Sequence, residues 1–262
     1  MYSGVVSFAL RSPLYVVFNC LPDEFEVDNI KVSCKDNKVV FKIIDVVGES
    51  REMINELGRR AAELFVYAMS LVQGVGFDAD NLVITWSSTT PQITSEGKVI
   101  ATAGATVTIK YLQLHEVQLN KELIERTINL MNNLGDALRD SSTSKRAEEL
   151  LRVVKWWVSG NLDEDSLDRF LKFFIAFEML ASLMGYKGKF GDLWVEKFCV
   201  DYGLTCEFEG KRVNKIRNLI MHEPGEDRER AEEVARKHAD EFGQEVLRAI
   251  WRALSEELKI SI

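Results

Sequence analysis

A chain of 262 residues exceeds the commonest single-domain size, which favours two domains while one large domain stays allowed. Its composition, 46% hydrophobic and 28% charged, excludes a disordered tail. The net charge of -8 excludes a broad basic surface for long duplex DNA, whose binding rests on phosphate neutralisation, yet leaves room for a small local site for a single strand.

No uninterrupted apolar run reaches bilayer length, and the N-terminus lacks a basic cluster before an apolar core. The expectation is a cytoplasmic protein with no membrane partner. Cys20, Cys34, Cys199 and Cys206 fall as one widely spaced pair in each half, without the tight Cys-x2-Cys spacing of a zinc site. Reduced, buried thiols are expected, with a disulfide as the alternative.

Residues 3–8 and 13–20 are apolar runs rich in Val, Phe and Tyr, and read as two strands. Val39 to Val47 reads as a third, while the pattern over 22–29 is too weak to assign. Ser50 is placed to cap a helix running to about Gln73, with Met53, Ile54, Leu57, Ala61, Leu64, Phe65, Ala68, Leu71 and Val72 at helical spacing. Leu82 to Trp86, Val99 to Ala101 and Thr106 to His115 read as further strands. The polar tract Thr85 to Gly97 is an ordinary loop or a rim for a ligand or partner. Residues 1–118 are therefore expected to form an α+β domain, one main helix against a mostly antiparallel sheet. Neither Gly-x-Gly-x-x-Gly nor Gly-Lys-Ser/Thr occurs in it, so a Rossmann or P-loop site has no support.

From Asn120 the period becomes helical, and residues 119–262 are expected to form an all-α bundle. Asn120 opens one helix through Arg139; a second follows from Ser144 to Val158, where Ser159 to Asp163 ends it. A third, about Glu164 to Met184, is apolar around most of its girth and belongs at the centre of a bundle or in a subunit interface. Glu178 interrupts it; a buried carboxylate needs a partner, and an arginine is the natural candidate. Gly188 to Tyr202 reads as a fourth helix, Lys211 to Glu223 as a fifth stopped by Pro224 and Gly225, and Glu226 to Lys259 as the sixth.

The fifth helix is where any chemistry is expected. Arg217 offers paired donors to phosphate oxygens, and His222 can move a proton to or from a ribose 2'-hydroxyl or a leaving oxygen. Asn218 can orient the imidazole or bind phosphate, because residues four apart share a helix face. Arg217 and His222, five apart, diverge by about 140°, so the pair meets only if His222 swings at the helix end or if a symmetry mate supplies it. Neither a His-Glu-x-x-His motif nor a cysteine pair accompanies them, so neither a catalytic metal nor a cofactor is expected. On the residues alone a plainer role stands beside this one: Arg217 paired with Glu178 to hold two helices, and His222 capping its helix. His115 and His238 are expected to be structural or exposed.

Phe173-Phe-Ile-Ala-Phe-Glu178-Met-Leu and Arg217-Asn218-Leu-Ile-Met-His222 resemble the second core helix and the Arg-x(4–6)-His motif of the HEPN superfamily, in its Apea-like or MauJ-like branch, over roughly residues 120–258. The resemblance implies an up-and-down helical bundle that forms a homodimer, with two Arg/His motifs lining one cleft. It implies metal-independent endoribonuclease activity on single-stranded or looped RNA, in a defence or toxin-antitoxin setting with an antitoxin or regulatory partner. By that similarity Arg217, Asn218 and His222 act at the scissile phosphate and Glu178 organises the arginine. Other members of the superfamily are noncatalytic dimerisation scaffolds or nucleotide-binding regulators, which is the alternative. Residues 1–118 lie outside the resemblance.

Overall fold

The computed structural model describes residues 2–9, 16–20, 24–28, 30–35, 38–48, 50–78, 92–93, 99–102 and 115–260. A β-sheet-containing N-terminal portion precedes a run of helices. By contact density the chain divides into one unit of Met1–Gln73 with Phe77–Asn132, and a second of Gly74–Gly76 with Asn133–Ile262. The sequence pattern changes at 116–120; the division falls further on, inside a helix.

In the first unit six strands share one sheet: β1 (Tyr2–Ala9), β3 (Glu24–Val27), β4 (Ile30–Lys35), β5 (Lys38–Gly48), β6 (Gln92–Ile93) and β7 (Val99–Thr102), in the order β3-β4-β5-β1-β7-β6. Every pairing is antiparallel except β1 with β7. β2 (Val16–Cys20) pairs separately, in parallel, with β8 (His115–Leu119). The segment 22–29, unassigned from sequence, forms β3 and its turn. Phe25 and Val27 alternate into the core, and Asp28 adopts a φ of 51° to bring the chain back into β4. The strand expected at Leu82 to Trp86, most of the tract Thr85 to Gly97 and residues 106–114 lie outside the described residues.

Helix α1 (Arg51–Gln73) covers β1 and β5, with Ser50 accepting from the Met53 N–H at 3.1 Å as its cap. Its buried stripe runs through Ile54, Ala62, Phe65, Val66 and Met69, and Phe65 packs 4.9 Å from Phe41 of β5. Met53 and Leu57, expected on that stripe, are exposed. At the helix start the core-facing line passes through Ile54, about 100° round the helix from Met53 and about 60° from Leu57.

Helix α2 (Lys121–Arg139) begins at Asn120, whose side chain accepts from the Leu123 N–H at 2.9 Å. The second unit is then built on α3 (Ser144–Asn161), α4 (Ser166–Leu183) and α8 (Glu226–Leu258), which pack on one another. Between α4 and α8 lie α5 (Tyr186–Lys189), a single 3-10 turn (Gly191–Leu193), α6 (Trp194–Tyr202), a hairpin of β9 (Glu207–Phe208) and β10 (Lys211–Arg212), and α7 (Val213–His222).

Asp165 caps α4 by accepting from the N–H groups of Leu167 and Asp168, and it binds Arg236 of α8 at 2.8 Å. The Arg236 hydrogen bonds, then those from the backbone, hold its carboxyl below the usual Asp range. The greasy face of α4 fills the centre of the unit. Phe177 lies 5.2 Å from Phe198, 5.6 Å from Trp194 and 5.6 Å from Phe242, and the Trp157 indole donates to the Gly243 carbonyl at 2.9 Å.

Two sequence expectations need correction here. Residues 188–202 are not one helix, because Gly191, at φ 51°, breaks the run between α5 and α6. Lys211 and Arg212 are not helical but form β10, drawn into a hairpin by a two-residue turn at Glu209 and Gly210. Among the described residues no helix is long and apolar enough to cross a membrane.

Candidate active site on helix α7

The chain enters α7 through a heavily tethered hairpin. Gly203, at φ 63°, ends α6, and Cys206 then forms a disulfide with Cys199. The expectation of reduced thiols is thus corrected for this pair, whose Cα atoms lie 6.1 Å apart, within bonding range. The spacing of seven gave no sign of it, because the α6 end and the hairpin meet only after folding. The side chains of Cys20 and Cys34 lie outside what the structure describes.

Within the loop that the disulfide closes, the Thr205 N–H donates to Glu245 at 3.1 Å; Glu245 lies within α8, 2% exposed, and also pairs with Arg248. Glu209 (φ 50°) and Gly210 (φ 74°) supply the two positive-φ positions that a type I' turn requires. Phe208 is buried and stacks on the His238 ring at 4.8 Å, while Glu209 pairs with Lys237 at 2.5 Å. That lysine, followed by His238, holds the Glu209 carboxyl below its usual range. Arg212 pairs with Glu196 of α6 at 2.8 Å, and the Val213 N–H donates to the Cys206 carbonyl at 3.0 Å. His238, whose ring nitrogens face Glu241 and Glu209, is structural; the His115 side chain lies outside the described residues.

So held, α7 buries Val213, Ile216, Leu219 and Ile220, and packs on α8 and α4. Its other side carries the expected chemistry. The Arg217 guanidinium is half-buried, 5.9 Å from the Phe174 ring centre on α4, and donates to the Asn218 side-chain oxygen at 3.1 Å. Asn218 is exposed. His222 is the last residue of the helix, exposed and without a side-chain partner among the described residues. Glu223 is already extended (φ -101°, ψ 137°), as the residue before Pro224 must be, so the imidazole is unconfined on that side.

The structure therefore brings Arg217 and Asn218 into contact, and sets Asn218 and His222 on one face. It does not join Arg217 to Glu178. Glu178 is half-buried and pairs with Lys187 of α5 at 2.7 Å. Among the described residues Arg217 has no carboxylate partner. Sequence reasoning missed Lys187 because its proximity to Glu178 depends on the reversal after α4. It missed Phe174 because an aromatic in an apolar run reads as core.

A separate cleft of about 430 Å³ is lined by residues that include Asn133, Asp136, Asp140, Thr143, Glu257 and Lys259, and contains none of the motif residues. Its acids are occupied: Asp136 pairs with Arg139, Glu257 with Arg146, and hydrogen bonds from Ser142 hold Asp140 below its usual range.

No family model, curated protein or solved structure matches the chain.

Proposed function

We propose that the protein is a metal-independent endoribonuclease of HEPN type, cutting single-stranded or looped RNA as a homodimer with Arg217, Asn218 and His222 at the scissile phosphate. The observation that carries this is the un-neutralised arginine. The plainer role for Arg217 required Glu178 as its counter-ion, and Glu178 is engaged by Lys187 instead. A guanidinium without a carboxylate partner among the described residues, beside an exposed amide and five residues from an exposed imidazole, suits an anionic ligand.

In this reaction the ribose 2'-oxygen forms a bond to the adjacent phosphorus while the bond from phosphorus to the 5'-oxygen breaks. The products are a 2',3'-cyclic phosphate and a 5'-hydroxyl. His222 moves a proton at the 2'-hydroxyl or the leaving oxygen, a role worth about 10²- to 10⁴-fold. Arg217 stabilises the charge that grows on the phosphate oxygens. Asn218 holds the guanidinium in place through its side-chain oxygen and leaves its NH2 group for phosphate.

On one straight helix Arg217 and His222 diverge by about 140°, and a two-fold axis resolves this by placing Arg217 of one protomer opposite His222 of the partner subunit. Two features suit such a dimer. Leu167, Leu171, Ile175 and Met179 follow one another at four-residue steps on α4 and stay half-buried in the single chain. Met221, beside His222, is 53% exposed. The defence or toxin-antitoxin setting, with an antitoxin or regulatory partner, belongs to the same proposal.

The noncatalytic scaffold remains the second reading because Glu178 does not organise Arg217 as the HEPN resemblance implies. A deoxy residue at the cleavage position separates the two. We expect it to abolish cutting and to leave binding largely intact; equal cutting of the deoxy strand would exclude 2'-hydroxyl attack.

A further inference from the structure

Resting on the ribonuclease reading above, we propose that Lys215 binds a backbone phosphate other than the scissile one, and so lays single-stranded RNA along the crest of α7. Lys215, Asn218 and His222 stand at i, i+3 and i+7, within an arc of about 60° on an ideal helix. All three are exposed. The rise from Lys215 to His222 is about 10.5 Å, against about 3.4 Å per phosphate along one stacked strand. The two side chains therefore address different phosphates of the same strand.

The segment that leads into and forms α7 is locally basic. From Lys211 to His222 the chain holds four cations, Lys211, Arg212, Lys215 and Arg217, and no acid, within a molecule of net charge -8. Most neighbouring cations are committed elsewhere: Arg212 to Glu196, Lys187 to Glu178 and Lys237 to Glu209. Lys215 has no ion-pair partner among the described residues. A solvated lysine with no ion-pair partner among the described residues, in line with a proton-transfer candidate, suits a flexible polyanion lying lengthwise on the helix. Arg217 sits about 160° round the helix from Lys215, so a strand running along this crest meets Lys215 and His222 of one protomer, while Arg217 of the partner subunit reaches the scissile phosphate in the dimer proposed above.

The test is binding of a fully 2'-O-methylated oligoribonucleotide, which lacks the attacking hydroxyl, to the full chain over a range of KCl concentrations. Wild type, Lys215→Ala, Lys215→Arg and, as a control, Lys237→Ala are compared, with melting curves to confirm folding. Lys215→Ala is expected to reduce the slope of log K against log salt by about 0.7, one single-strand phosphate contact, and so to weaken binding about fivefold at 0.1 M salt. Lys215→Arg should restore the slope, Lys237→Ala should leave it unchanged, and on cleavable RNA Lys215→Ala should raise KM more than it lowers kcat.

An unchanged slope and affinity in Lys215→Ala, with wild-type cutting intact, would overturn this role and leave the ribonuclease reading standing. Wild type that neither binds the oligomer nor cuts RNA would overturn both. Polyglutamate binding with the same dependence on Lys215 would mark the crest as a surface for acidic proteins, and overturn the RNA assignment.

Discussion

Phe173 occupies a slot that two absent side chains create. A Cβ added to Gly160 of α3 would lie 2.6 Å from its ring, and one added to Gly243 of α8 would lie 2.5 Å from the opposite edge. Close packing leaves no room for either methyl. Alanine raises helix propensity by about 1 kcal/mol over glycine, yet overpacking costs about 1–3 kcal/mol. Gly160→Ala and Gly243→Ala should therefore each lower stability in chemical denaturation, despite being substitutions towards a better helix former. A stabilised variant would mean that α3 and α8 do not clasp Phe173. In the sequence Gly160 reads as a helix stop, because a glycine before Asn161 and Asp163 carries that local signal; the helix runs through it because three helices converge there. The same limit applies to Glu178. That it needs a cation was legible, but its choice of Lys187 over Arg217 depends on how α5 doubles back.

Among the elements, the long helices were legible because their signals are local. Ser50 and Asn120 act as the caps they resemble, and the stripe of α8 from Ala231 to Leu254 is buried as helical spacing implies. The hairpin before α7 was not legible. Its strands are two residues each, too short for alternation to register, and its anchors come from elsewhere in the chain: Cys199, Glu196, Glu245 and Lys237. Its tethers fix where α7 begins, and with it Arg217, Asn218 and His222. Closing a loop of seven residues is worth about 2–3 kcal/mol in the chain-entropy view. The double substitution Cys199→Ser, Cys206→Ser is thus expected to cost about that much in urea denaturation. Digestion of the unreduced protein should recover the Cys199 and Cys206 peptides cross-linked; free alkylation of both thiols would show the bond to be absent.

For the whole molecule, composition and the change of period near residue 120 were enough to anticipate a sheet-bearing first portion and a helical second one. The division by contacts comes later, at 132–133, because α2 carries the helical pattern while its first half belongs with the strands before it. The candidate site was legible only as a set of residue types on one helix, Arg217, Asn218 and His222; the proposed cleft rests on a second copy, which a single sequence does not describe.

The most direct measurement is cleavage of mixed-sequence RNA in excess EDTA by wild type, Arg217→Ala and His222→Ala, each first confirmed folded and dimeric. Wild type is expected to cut and leave 2',3'-cyclic phosphate ends. His222→Ala is expected to lose about 10²-fold or more, the scale of one proton-transfer group, with Arg217→Ala impaired through lost charge stabilisation. Cutting that persists unchanged in His222→Ala, or intact wild-type dimers that do not cut at all, would contradict catalysis at this helix.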